Sequence, residues 1–227
     1  MDKSLRARQM CLEHATDLVA SAERVLKDNG FPNIAYHLAI LALEEIGKAG
    51  MIASRAVIGN SREMEWMDKR FGDHVWKIQW AVWSTGFSGG RIDPKDFAEA
   101  RRFAQSTHAR RLAGLYVNVD DETAIPPRVA ANTKHATSVL NLARARLAMK
   151  NAVGHPVLNE TNDHLRWFLD TIGGEHGRKR IFSKQFIAKH EELKGDTRAW
   201  VAWARQEFEK IAADDNAPPI AGALTSD

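Results

Sequence analysis

Ala35-Tyr36-His37-Leu38-Ala39-Ile40-Leu41-Ala42-Leu43-Glu44-Glu45-Ile46-Gly47-Lys48-Ala49 is the stretch whose reading decides the fold. Its spacing predicts a helix from about Pro32 to Ile58. Leu38, Ala42, Leu43, Ile46, Ala49, Ala53 and Val57 make most of its circumference apolar. A helix apolar nearly all round belongs in the middle of a bundle. One narrow stripe breaks the pattern: at 100° per residue, His37, Glu44, Lys48 and Arg55 fall within about 40° of one another. Two readings stand. A Glu44–Lys48 pair four residues apart supports an exposed helix face by about 0.2–0.5 kcal/mol. Alternatively, the apolar flanks Leu41, Met51 and Ile52 point to a buried or interfacial polar network.

Working outward, the same 3.6-residue period recurs along the chain, and no run alternates as a strand would. Leu12, Ala15, Val19, Ala22 and Leu26 predict a first helix over Ser4–Lys27, stopped by Asp28-Asn29-Gly30. A third helix, about Arg62–Thr85, carries two apolar faces. One holds Met67, Phe71, His74, Ile78 and Val82; the other holds Trp76, Trp80, Trp83 and the following Phe87. Such a helix packs between two layers, or between its own core and a partner subunit. Asp93-Pro94 opens a fourth helix, reaching Gly114. A fifth runs from Arg128 to Val153, with Gly154 and Pro156 beyond it. Shorter helices are expected near Asn162–Ile172, Ser183–Leu193 and Thr197–Ala213, with a basic loop over residues 173–180. The fold class is therefore all-α. Residues 1–156 form a bundle of about five helices, 157–213 a helical extension, and 214–227 a Pro/Ala/Gly/Ser tail expected to be disordered.

Composition narrows the function classes. The apolar share is 44% and the charged share 27%, which excludes a wholly disordered or collagen-like chain. Thirty-two basic against 29 acidic side chains leave a net charge of +3, which permits a nucleic-acid partner without announcing one. Cys11 is the single cysteine, so neither an internal disulfide nor a cysteine-based zinc site is available. The N-terminus has no signal-peptide core, and the uncharged run from Asn29 to Leu43 falls short of the ~20 residues that span a bilayer. A cytoplasmic protein without a membrane partner is expected.

No Glu-x-x-His, His-Glu-x-x-His or phosphate-binding glycine loop occurs, so neither metal nor cofactor is expected. His74 and Lys77 lie one turn apart; with His37, Glu44, Glu45 and Lys48 they are candidates for a polar network. The most chemical segment is Lys150-Asn151-Ala152-Val153-Gly154-His155-Pro156, at the end of the fifth helix. Helix carbonyls there favour a cation, which biases His155 towards protonation. A histidine, a cation and an amide within one turn suit metal-free RNA cleavage. His155 would move the proton, Lys150 with Arg146 would offset phosphate charge, and Asn151 would orient. The plain alternative is a helix cap, with Gly154 turning the chain. Arg178, Lys179, Arg180 and Lys184 could track an RNA backbone or form a solvated charge run.

The Ala35–Ala49 block resembles the signature of AbiV-type abortive infection proteins, a small-residue helix ending in Glu-Glu-Ile/Leu-Gly-Lys-Ala. His74-x-x-Lys77 and Arg111-Leu112-Ala113-Gly114-Leu115-Tyr116-Val117-Asn118-Val119-Asp120-Asp121 are similar to the same family, and the likeness spans about residues 5–156. The resemblance places the chain in the HEPN group. It implies a bundle of four or five helices, usually a homodimer. Many members are metal-independent ribonucleases of toxin and phage-defence systems, and others bind nucleotides or partner proteins without cleaving. Lys150-Asn151-x-x-x-His155 resembles the group's Arg-Asn-x-x-x-His motif, with lysine in place of arginine. Lysine is a point charge and lacks the bidentate phosphate contact. Arg102–His108, mid-helix, is the second-choice pair. The resemblance thus implies an RNA partner and a cut leaving a 2′,3′-cyclic phosphate. The competing expectation is a non-catalytic module that senses a phage or host protein through its Trp-bearing face.

Overall fold

In the computed structural model the helix read from the opening stretch runs Pro32–Val57, and every other helix of the first core leans on it. The structure describes residues 3–28, 30–57, 69–84, 94–117, 125–153, 167–168, 171–172, 175–194 and 196–215. In chain order the helices are α1 (Lys3–Asp28), α2 (Pro32–Val57), α3 (His74–Trp83), α4 (Pro94–Leu115), α5 (Pro127–Ala130), α6 (Thr133–Val153), α7 (Glu175–Ile181), α8 (Lys184–Glu192) and α9 (Thr197–Asp215). No strand occurs among the described residues, so the chain is all-α as its periodicity predicts.

The first core is built from small side chains. Ala15 and Ala22 of α1, Ala35, Ala39, Ala42 and Ala49 of α2, and Ala136 and Ala143 of α6 are all essentially inaccessible. Leu12, Ile40, Leu43, Ile46, Ile78 and Leu140 fill the spaces between them. Alanine costs little side-chain entropy and lets helix axes come close, so burial here comes with dense backbone packing. Gly47 takes this furthest: a Cβ there would run into the carbonyl of Lys77, so α2 and α3 touch backbone to backbone. Gly30, at φ +60°, supplies the left-handed residue after α1 that the sequence predicts as its stop. Cross-ties fix the register of α2 on α4. The Tyr36 hydroxyl donates to the Thr107 carbonyl at 3.3 Å, and Asn33 Nδ2 donates to the Gly114 carbonyl at 3.0 Å.

The second core is aromatic and shares α3 as a wall with the first. Trp76, Trp80 and Trp83 are buried against Phe97 of α4 and against Phe168, Ile181, Phe186 and Trp200 of the C-terminal segment. Trp83 meets Phe97 edge-on at 4.8 Å, and Phe97 stacks on Phe182 at 4.1 Å. The Trp200 indole donates to the Phe186 carbonyl at 2.8 Å, which satisfies its one polar atom in an apolar setting. The two-faced helix predicted from the sequence thus packs between two layers of its own chain. Its Trp face is covered and is not a free sensing surface. Phe71 and Val82 pack with this aromatic core, not on the Ile78 face where the period placed them.

Three further local readings change. The fifth helix is two: Pro127–Ala130, then a break at Ala131–Asn132, where Asn132 Oδ1 accepts from the His135 N–H at 3.1 Å and starts α6. The basic loop at 173–180 is largely helix, since α7 covers Glu175–Ile181. The third helix begins at His74 because Asp73 caps it, its Oδ1 accepting from the Trp76 N–H at 3.0 Å; its expected first turns over 62–68 lie outside the described residues.

Candidate functional site

Glu44 faces inward from α2 at the level where Gly47 lets α3 approach. Its side chain is only 3% exposed. A carboxylate so buried is costly unless several donors reach it. Three do. Arg111 Nη1 of α4 donates to Oε1 at 2.7 Å. Lys77 Nζ and His74 Nδ1 of α3 lie 3.1 and 2.8 Å from Oε2. An ionised carboxylate can only accept, so His74 Nδ1 carries the proton and Nε2 is left as the ring's other functional atom. His74 is 46% exposed, so the ring joins a buried anion to the surface.

His108, three residues before Arg111 on α4, stacks on His74 with ring centroids 5.5 Å apart and planes 15° from parallel. Burial, then the positive charge of Arg111 and the neighbouring His74, hold His108 below the ordinary histidine range. His37 lies on α2 two turns before Glu44. Burial and Arg111 hold it below that range too, against the pull of Glu44. Three buried nitrogens around Arg111 have no hydrogen-bond partner: Arg111 Nε, His37 Nδ1 and His108 Nδ1. Each unmet polar atom costs roughly 1–3 kcal/mol, and such costs concentrate where function requires them.

The predicted polar network is therefore split. His37, Glu44, His74 and Lys77 come together. Lys48 does not pair with Glu44 four residues back; it lies 3.8 Å from Glu45, on a side chain 40% exposed. Glu45 turns towards α1, where burial and then the Glu45 carboxylate push the Cys11 thiol up to about 11. His108 was singled out with Arg102, but Arg102 is exposed beside Glu99 at 3.9 Å, and Arg111 is the cation that serves the histidine. Arg111 was missed as a site residue. The signal was present: it falls in phase with Ala104, Thr107 and Gly114, a small-residue stripe facing the core.

Lys150 and Asn151 sit on the last turns of α6, as expected, and Lys150 has its own set of neighbours. Lys150 points inward and donates from Nζ to Ser84 Oγ at 3.2 Å. Burial, then Arg8 and Arg146, push its ammonium down to about 8. Arg8, buried on α1, donates to the Lys150 carbonyl at 3.3 Å. Its position four residues before Leu12, on the apolar stripe, was the unread sign of its burial. Burial holds Arg146 below its ordinary range, opposed by Asp96. Asn151 is exposed, and His155 lies outside the described residues. Of the basic candidates, Arg178 sits 5.3 Å from the Trp76 ring and donates to the Ile172 carbonyl, and Arg180 sits 5.7 Å from the Phe208 ring. Lys179 and Lys184 are exposed.

Among the described residues no group of three or more His, Cys, Asp or Glu side chains could hold a metal ion, and no helix is long and apolar enough to cross a membrane. The class is a helical bundle in which a buried carboxylate holds one of two stacked histidines. The family model described as AbiV, a HEPN-type model, matches residues 3–148. The chain belongs to the AbiV family of HEPN-like proteins. That membership points to abortive-infection defence. The match takes in Glu44, His74, Lys77, His108 and Arg111 and ends before Lys150. No curated protein and no solved structure matches the chain.

Proposed function

We propose that this AbiV-family protein acts in abortive infection as a metal-independent endoribonuclease, with proton transfer at His74 and His108. The observation that carries the reading is the stacked histidine pair, one ring held by the buried Glu44 and the other kept neutral beside Arg111. Metal-free RNA cleavage needs two proton-transfer groups and positive charge near one phosphate. His108, neutral at pH 7, takes the proton from the 2′-hydroxyl as that oxygen attacks phosphorus. His74, entering the step as an imidazolium with its Nδ1–H on Glu44, passes its Nε2 proton to the departing 5′-oxygen and is left as the neutral Nδ1–H tautomer. The products are a 2′,3′-cyclic phosphate and a 5′-hydroxyl, so atoms and protons balance. Lys77 and Arg111 supply positive charge beside the pair, and Glu44 holds the His74 tautomer. The protein acts as a cytoplasmic homodimer.

A second reading keeps the chemistry at Lys150, Asn151 and His155, with Arg146 as the guanidinium. It is favoured by one observation: Lys150, Arg146 and Arg8 gather positive charge in one place. The two sites are separated by incubating the protein with RNA in EDTA beside His74→Ala, His108→Ala and His155→Ala variants. The first reading expects loss of cleavage by roughly 10²–10⁴-fold in the first two alone, the usual worth of an acid or base. Loss confined to His155→Ala moves the site to the end of α6, and an RNA-inert wild type removes the nuclease reading altogether. The acid limb of the wild-type rate profile should lie below the ordinary histidine range, because the base must be unprotonated and His108 holds its proton weakly.

A further inference from the structure

Trp76 stands two residues after His74 on α3 and is buried, at 4% exposure. Guanidinium groups from separate parts of the chain meet its ring: Arg178 at 5.3 Å, Arg70 at 5.4 Å and Arg101 at 5.7 Å from the centroid. The negative faces of an indole attract cations within about 6 Å, so one ring can hold several segments at once. Arg70 precedes α3 and pairs at 3.2 Å with Asp73, the residue that caps the helix just before His74. Arg101 lies on α4 seven residues before His108, two turns back on the same side. It also donates to Gln79 Oε1 of α3 at 3.2 Å. Arg178 belongs to α7, beyond the residues that the family model matches. Its own place is fixed: it donates to the Ile172 carbonyl at 3.2 Å, and Gly177 beside it lies too close to the Thr171 carbonyl to carry a Cβ.

We propose that Arg178 is a positioning residue for the stacked histidines, acting through Trp76, a role that rests on the reading of His74 and His108 as the reacting pair. The C-terminal segment then sets the geometry of a site to which it contributes no reacting group. α3 has only ten residues, and helices that short are marginal by themselves, so tertiary contacts aim it. The cap bond from the Trp76 N–H to Asp73 ties the backbone under the indole to the residue beside His74. A shift of the Trp76 ring therefore turns the first turn of α3 and moves His74 off His108. Arg101 on the same ring holds the other histidine's helix in the matching place. Paired proton-transfer groups tolerate little displacement: a misplacement of about 1 Å can cost roughly 10²-fold in rate.

The test is proton NMR of the histidine rings in the full chain, with His74→Ala and His108→Ala to assign the signals. Arg178→Gln should move the ring-proton signals of both histidines. It should also bring the His108 titration up towards the ordinary range, since burial and the neighbouring His74 help to hold it down in the wild type. Arg178→Lys, which keeps a cation over the indole, should look like the wild type. In RNA cleavage Arg178→Gln should lose roughly tenfold or more in kcat with KM little changed. Ring signals identical to the wild type in Arg178→Gln overturn the proposal, whatever cleavage does. A raised KM with unchanged kcat overturns it in favour of an RNA contact at Arg178. Circular dichroism checks folding, and Arg178→Met, which keeps an apolar stem over the ring, takes the place of Arg178→Gln if that variant is unfolded. A wild type inert towards RNA ends the nuclease reading, while the ring signals still decide whether Arg178 positions the pair.

Discussion

Glu44 and Lys150 are both charged groups taken out of water, and their surroundings are opposite in kind. Glu44 is an anion inside a ring of donors from two other helices, each within 3.1 Å. Lys150 is a cation whose nearest charged influences are two more cations, Arg8 and Arg146. The first arrangement is self-consistent: every charge has its opposite, and the surplus is positive. The second gathers like charges around Lys150, while Asp96 acts on Arg146. Buried charge can therefore act either as a clamp between helices or as a standing cost, and the sequence shows the same kind of residue in both places.

The largest expected effect tests the clamp. Glu44→Gln keeps the shape of the side chain and removes its charge, so Arg111 and Lys77 face each other across a buried gap. Breaking a buried pair by removing one partner typically costs about 3–5 kcal/mol. Urea unfolding at pH 7 should show a loss of that size, with α2, α3 and α4 losing their cooperative transition first. A loss under about 1 kcal/mol would mean that the two cations escape to solvent, and the contrast with Lys150 would collapse.

Lys150→Met should act in the opposite direction. Its ammonium sits at about 8 in the folded chain against an ordinary 10.5. Between those values the unfolded chain binds the extra proton at this side chain, so the Lys150 contribution to stability rises with pH from about 8 to 10.5 and its penalty is fully present below 8. That displacement corresponds to roughly 3 kcal/mol at pH 7. Denaturant midpoints should climb in the wild type from about pH 8 to 9, above which the raised Cys11 thiol acts in the opposite sense, and Lys150→Met should lack that climb and be the more stable protein at pH 7. A flat wild-type profile would show that Lys150 is hydrated.

Much of this contrast could be read in the sequence, and the unread part has a physical cause. The Ala35–Ala49 block announces a central helix because its apolar residues cover more than one face. The same periodicity cannot say which of two adjacent glutamates turns inward, since Glu44 and Glu45 differ by 100° on a helix with neighbours on several sides. Contact between α2 and α3 decides it, through Gly47, and that contact is non-local. Arg8 and Arg111 sat in phase with buried stripes, yet arginine is so seldom buried that the phase alone did not mark them. The Trp face of α3 was legible as apolar, but its cover comes from Phe168, Phe186 and Trp200, about a hundred residues on. No local pattern separates a face covered by its own chain from one awaiting a partner.

The smallest effect sharpens the comparison at the edge of the Glu44 cluster. His37 is half-buried on the same helix, with Nδ1 unpartnered, and burial together with Arg111 favours its neutral form. In the unfolded chain it regains an ordinary pKa near 6.5. Below that value the unfolded state therefore takes up a proton that the folded state refuses, and stability falls as the pH falls. His108 adds to the same slope for the same reason. His37→Leu removes one of the two contributions and also removes the unpartnered nitrogen. Its urea midpoint should match or slightly exceed the wild type at pH 7, and it should drop less on going to pH 5. An equal drop in both proteins would place the His37 proton in water, leaving Glu44 a clamp between α3 and α4 alone, with no protonation-sensitive neighbour on its own helix.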